Sequence, residues 1–322
     1  AHRRNRIGLG VMTAERVAVV LMAYGTPRTP DEIEPYYTDI RRGRPPTPEA
    51  LADLTARYAA IGGVSPLAQL TEAQAAGLQL ALDAAEPGRF EVSLGLKHAE
   101  PKVEDTARRV ASDGVDAVVG LVLAPHYSSY SIGQYLERTR QGVAESGADI
   151  PVVGVESWST EPAFVEFLAD DLARRVAAMR ERTGGRVRVL FTAHSLPQRI
   201  IDAGDPYPDE LRSTAEAVAA RIGLTEGDDW QIAWQSAGRT PEPWIGPDIL
   251  EVIDSLADAD VAGVIVSACG FVADHLEVLY DLDIEAADRA ASHGLVFDRT
   301  ACVNDDPTIM AALAERVRAI AP

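Results

Sequence analysis

Two α/β lobes, each built on a parallel sheet and facing the other across a cleft, are what this sequence predicts. Short apolar runs alternate with helical segments of ten or more residues along the chain, the pattern of repeated βαβ units. The motif-rich loops all follow strands. The layout also restarts near Trp158, with four strand-like runs before it and three or four after. The 322 residues, 47% apolar and 25% charged, suffice for two domains or one large one.

The elements follow in order. Residues 17–22, VAVVLM, read as a buried strand that ends in the turn AYGTP and leaves Tyr24 at its carboxyl end. Residues 29–43 read as a helix started by Thr29-Pro30 and running into Arg41, Arg42 and Arg44. A second helix spans 48–61 and stops at Gly62-Gly63; an Ala/Leu-rich third spans 71–85. Strand 90–96 leads to KHAEP, helix 104–113 follows, and strand 117–123 ends in APHYSSYS. Helix 131–146 and strand 152–155, ending in ESW, complete the first half. The second half runs as helix 162–183, strand 186–192 ending in AHSLP, helix 208–222, strand 230–235, helix 248–258 and strand 261–267. The last helix, 307–319, suits either lobe.

Beyond strand 261–267 lies the chemically unusual stretch SACGFVADHLEVLYDLDIE. Glu277, Asp281 and Glu285 recur every four residues. Four residues of α-helix turn about 400°, so an α-helix here carries the three carboxylates as one slowly drifting stripe. Such a stripe is either a solvated face or a row of hard oxygen ligands and proton carriers. Its place after a strand end, where open α/β sheets hold their ligands, favours the second reading. His194, in FTAHSLP, also follows a strand end. A histidine there is a structural hydrogen-bonder or else a base or metal ligand, because its ordinary pKa of about 6.5 lets it take a proton near neutrality. Parallel strand ends open on one cleft, so His194 and Glu277 can converge.

Charge and composition exclude several classes. Forty-nine acidic against 30 basic residues leave a net charge of −19, which argues against general nucleic-acid binding. No apolar run approaches the ~18 residues of a membrane span. The basic start, AHRRNRIGLGV, lacks the apolar core of a secretory signal; Met12 is a candidate natural start, and a cytoplasmic location is expected. Two cysteines, Cys269 and Cys302, exclude a disulfide scaffold and any four-thiolate cluster within this chain. Cys269 reads as a small buried residue beside the Gly270 turn. Walker, GxGxxG and GxSxG motifs are absent.

Against the acidic background, Arg41, Arg42, Arg44, Arg57 and Lys97, with Ser65, form a local reversal of charge in the first half. It is either a solvated patch or a seat for a small polyanion, since arginine pairs bidentately with carboxylates. Tyr24, Tyr127, Tyr130, Tyr135, Trp234 and Trp244 fall in or near strand-end loops and suit the walls of a cleft for a large flat ligand.

These stretches together carry a resemblance. AYGTP, DIRRGRPPTPE, RYAAIGGVSPL, LKHAEP, APHYSSYS, TAHSLPQRI, GDPYPDEL, WQSAGRTPEPWIGPD and GFVADHLEVLYDLDIE look like the ferrochelatase family, closest to the soluble bacterial enzymes that act on coproporphyrin III. The likeness runs from Val17 to the end. It implies the chelatase fold, two Rossmann-like lobes with four-stranded parallel sheets flanked by helices around a porphyrin cleft. Residues 1–158 with 303–322 are expected to form the first lobe and 159–302 the second. By the same likeness His194 and Glu277 match the pair at the metal-insertion point, and Tyr24 the tyrosine facing the other side of the macrocycle. Arg41, Arg57, Ser65 and Tyr135 match positions that hold propionates; Asp281 and Glu285 extend a metal or proton relay. The implied reaction inserts Fe²⁺, as substrate, into coproporphyrin III to give coproheme. Alternatives are a protoporphyrin IX ferrochelatase, a cobalt chelatase, or a non-catalytic tetrapyrrole carrier of the same fold. The implied partners are the porphyrin, ferrous iron and a downstream coproheme decarboxylase, with the protein a monomer. Many relatives carry a two-iron cluster on four cysteines; with two cysteines none is expected here, nor is any permanently bound cofactor.

Overall fold

Residues 15–322, apart from 239 and 258, are described by the computed structural model. Met12 and the basic start, and the expected helix end at Asp258, lie outside the described residues. The first strand, β1 (Val17–Ala23), is apolar and buried at every position, as a central strand covered on both faces must be. A single 3₁₀ turn, Pro30–Glu32, leads into α1 (Ile33–Ile40). Next come α2 (Pro48–Ala60), capped by the Thr47 hydroxyl, and α3 (Leu67–Ala85), which starts four residues earlier than expected. Then follow β2 (Phe90–Leu96), α4 (Val103–Ser112), β3 (Ala117–Val122), α5 (Ile132–Ser146) and β4 (Val152–Val155).

The second half contains α6 (Pro162–Thr183), β5 (Val187–His194), α7 (Gln198–Asp202), α8 (Tyr207–Ile222), β6 (Trp230–Gln235), α9 (Ile249–Leu256) and β7 (Gly263–Ser267). After these come α10 (Leu276–Leu279), α11 (Ala287–Ser292), β8 (Val296–Arg299) and α12 (Pro307–Ile320). A π-helical segment, Asp281–Ala286, joins α10 to α11.

Both sheets are wholly parallel and share one order, β2-β1-β3-β4 and β6-β5-β7-β8. Each therefore reverses its direction of growth beside its first strand, between β1 and β3 in one and between β5 and β7 in the other. Crevices at such reversals, at the carboxyl ends of the strands, are where open α/β sheets bind ligands. Tyr24 leaves β1, and His194 ends β5. The tyrosine and the histidine thus hold equivalent places on the two sheets.

The sheets lean on a common apolar layer. Val17, Val19 and Leu21 of β1 and Val189, Phe191 and Ala193 of β5 belong to one buried cluster with α6, α8 and α12. The alternate residues of β1, Ala18, Val20 and Met22, face α4 and α5. The last helix returns to α3, where Met310 lies against Gly77, and Arg318 pairs with Glu86 at 2.7 Å.

Candidate active site

His194 is held at the end of β5 with its ring partly open to the cleft, and its Nδ1 bonds the carbonyl of Ser195 at 2.5 Å. A carbonyl only accepts, so Nδ1 carries the proton. In the neutral ring Nε2 is then a bare lone pair. That Nε2 faces Oε1 of Glu277 at 3.7 Å. Backbone packing explains the approach. Gly270, in the turn after β7, donates its N–H to Thr192, and a Cβ placed on it would lie 2.3 Å from Ala193 Cβ. Only glycine lets this turn press against β5 directly behind His194.

Glu277 stands between two imidazoles. His275 repeats the arrangement of His194: its Nδ1 bonds the Ala273 carbonyl at 2.9 Å and its Nε2 faces the other oxygen, Oε2, at 3.6 Å. The Glu277 backbone is fixed by Gln235, the last residue of β6, whose side-chain amide donates to its carbonyl at 2.9 Å. Burial disfavours the Glu277 charge, but His194, His275 and Arg57 outweigh it and pull the carboxyl down to about 2. It is an anion at neutral pH. His275 was not among the site residues expected from the sequence, although its spacing to Glu277 was visible.

The acidic row does not lie on one continuous α-helix: Glu277 is in α10, and Asp281 and Glu285 are in the π-helical segment. From Asp281 the chain widens to i→i+5 closure, the Glu285 N–H reaching back to the Tyr280 carbonyl at 3.0 Å. The cause is on the buried side. Val278, Leu282, Ala286 and Ala290 recur every four residues and are all 0% exposed. In a regular α-helix that row would rotate off the core by about 40° at each step. The wider turn keeps the apolar row against the core and carries Glu277, Asp281 and Glu285 along the flank beside it. Along it Glu277 is half-buried, Asp281 buried and Glu285 exposed.

Tyr24 faces the row from the other sheet. Burial first, and the nearby charge of Glu277 second, push its phenol well above the ordinary value. Its ring lies 4.6 Å from that of His98, which Asp39 holds through a 2.7 Å bond.

The basic group is divided. Arg41 is exposed at the end of α1, with Nε on the Arg44 carbonyl. Ser65 is buried and its hydroxyl accepts from the Leu67 N–H, starting α3. Tyr135 is buried, and the Lys97 ammonium lies over its ring, 5.2 Å from the centre. Burial, then the charges of Arg138 and Arg42, lower that ammonium to about 8. The Arg57 guanidinium pairs with Asp281 and stacks on Tyr280 at 4.6 Å. Among the described residues, no hydrogen bond or ion pair joins any two of Arg41, Arg57, Ser65 and Tyr135. Among the described residues, no group of three or more His, Cys, Asp or Glu could hold a metal ion, and no helix is long and apolar enough to cross a membrane.

This architecture is the chelatase fold. The sirohydrochlorin chelatase SirB from Bacillus subtilis subspecies spizizenii, solved with cobalt, superposes with a TM-score of 0.53 over 94% of each chain at 13% identity. Within that class the chain belongs to the ferrochelatase family, whose profile matches residues 16–320. It is 44% identical to the coproporphyrin III ferrochelatase of Geobacillus thermodenitrificans over 94% of this chain and 95% of that one. It is 42% identical to a ferrochelatase of Herpetosiphon aurantiacus, over 92% and 96%.

Proposed function

We propose that this protein inserts Fe²⁺ into coproporphyrin III, with His194 and Glu277 at the insertion point. The observation that carries this is the 3.7 Å approach of His194 Nε2 to Glu277 at the strand-end crevice of the second sheet. Insertion removes two pyrrole N–H protons and strips water from the ion. His194, with Nδ1 committed to a carbonyl, presents Nε2 to a proton or to iron, for which an imidazole nitrogen is a suitable donor. Glu277, held ionised, stabilises the positive charge that develops on either imidazole. Protons taken there leave along Asp281 towards the exposed Glu285. Tyr24, from the opposite wall, bounds the slot in which the macrocycle lies, and the cleft walls bend the ring so that its nitrogens project.

The names of the relatives, most of them coproporphyrin III ferrochelatases, favour a porphyrin with four carboxylates over one with two. Arg41, Arg57, Ser65 and Tyr135 are then the groups that meet the propionates, and a coproheme decarboxylase consumes the product. The test is anaerobic incubation with Fe²⁺ and either coproporphyrin III or protoporphyrin IX, followed in the visible spectrum. Faster loss of free coproporphyrin bands is expected. A preference for protoporphyrin overturns the substrate, a preference for Co²⁺ over Fe²⁺ the metal, and tight binding without any spectral change the activity.

A further inference from the structure

Arg57 and Asp281 lie 224 residues apart in the chain and meet where α2 approaches the π-helical segment. Arg57 belongs to the last turn of α2, and Asp281 opens the π-helical segment. The pair is shielded, with side chains 21% and 7% exposed. Its geometry is incomplete on the cationic side. Asp281 meets the guanidinium through Oδ1, while Oδ2 is committed to the Ser236 hydroxyl at 2.5 Å. Arg57 Nε is left buried with no hydrogen-bond partner. A guanidinium offers a planar fork that a carboxylate fills best with both oxygens, and a buried donor left unmatched costs free energy.

The anionic side is strained as well. Burial, and next the Glu277 charge, raise the Asp281 carboxyl to about 6 even with a guanidinium beside it. Ser236, which orients it, holds φ at +59°, a left-handed backbone that a non-glycine residue adopts only where its surroundings impose it.

We propose that Asp281 is a built-in occupant of the seat Arg57 offers to a porphyrin carboxylate, and that a propionate displaces it as substrate binds. This rests on the reading of Arg57 as a propionate-binding residue. In the free protein a buried guanidinium needs a counter-ion, and Asp281 supplies one. A propionate on a flexible arm can lie in the guanidinium plane and satisfy Nε too, replacing a partial contact with a fork. Asp281 then keeps Ser236 on Oδ2, and its Oδ1 becomes the first free carboxylate oxygen beyond Glu277. Arrival of the porphyrin and release of an outward carrier are in this way one event.

The test is a set of fluorescence-quenching titrations with coproporphyrin III and with its tetramethyl ester, both delivered in the same trace of detergent. Asp281→Asn keeps the shape and empties the competition, so coproporphyrin affinity rises about tenfold, as it does when an occluded state is removed. Arg57→Ala lowers that affinity, and Arg57→Lys, which keeps the charge without the fork, falls between. In the Arg57→Ala background Asp281→Asn changes nothing. The ester, having no free carboxylate, binds wild type and Asp281→Asn alike. If Arg57→Ala weakens coproporphyrin binding but Asp281→Asn does not strengthen it, the exchange is wrong and the propionate role of Arg57 stands. If Arg57→Ala leaves affinity unchanged, that role fails and the exchange with it. If Asp281→Asn strengthens the ester equally, the substitution has loosened the cleft rather than vacated a seat, and the exchange is overturned.

Discussion

His194 Nε2 and Glu277 Oε1 stand 3.7 Å apart, near enough for strong electrostatic coupling and too far for a direct hydrogen bond. The separation matters chemically. A hydrogen bond here would need a proton on Nε2; at 3.7 Å the carboxylate stabilises a charge that develops on the ring, while the unprotonated nitrogen stays available to a ligand in the slot.

Glu277→Gln keeps the side-chain shape and removes the charge between His194 and His275. Iron insertion should fall at least about 100-fold, the scale of a lost acid–base or electrostatic group. Steady-state assays with coproporphyrin III should show the loss in kcat rather than KM. A change confined to KM would assign Glu277 to substrate binding.

Gly270→Ala puts a methyl group within 2.3 Å of Ala193 Cβ and 2.6 Å of its Cα, directly beside the strand end that carries His194. Backbone must move. A loss of about 1–3 kcal/mol, the usual cost of overpacking, is expected in thermal or urea unfolding. Insertion activity should drop further than stability alone explains. Unchanged stability would mean the turn is not packed on β5 as described.

The fold should weaken in mild acid because of His126. Its Nε2 contacts the Thr214 hydroxyl at 2.8 Å across the two halves, and burial lowers its pKa to about 3. The unfolded chain binds this proton near pH 6.5 and the native state resists it. Its contribution is thus full above about pH 6.5 and is lost as pH falls towards 3. His126→Gln lacks the titration, so the gap in melting temperature between wild type and variant should shrink from pH 7 to pH 4.5. A constant gap contradicts the assignment.

Much of the architecture was legible in the residues. The bounds of β2, β4, α6 and β6 match the reading from alternation and turn residues to the residue. Strand β8 was left open because VFDR lies half-buried at a sheet edge and carries two charges, so no apolar run announces it. The π-helical turn went unseen although its cause was present: the strict four-residue row Val278, Leu282, Ala286 and Ala290 does not fit 3.6 residues per turn. Convergence of His194 and Glu277 followed from strand-end logic. The contact of Arg57 with Asp281 did not, because no local pattern relates residues 224 positions apart. Reading Arg57 as simply cationic hid the carboxylate already beside it.

The most direct measurement concerns the bare Nε2 of His194. His194→Ala should lose Fe²⁺ insertion into coproporphyrin III by at least about 100-fold under anaerobic conditions, while quenching titrations give a porphyrin affinity close to that of wild type. Substantial iron insertion by His194→Ala would contradict the role given to that nitrogen.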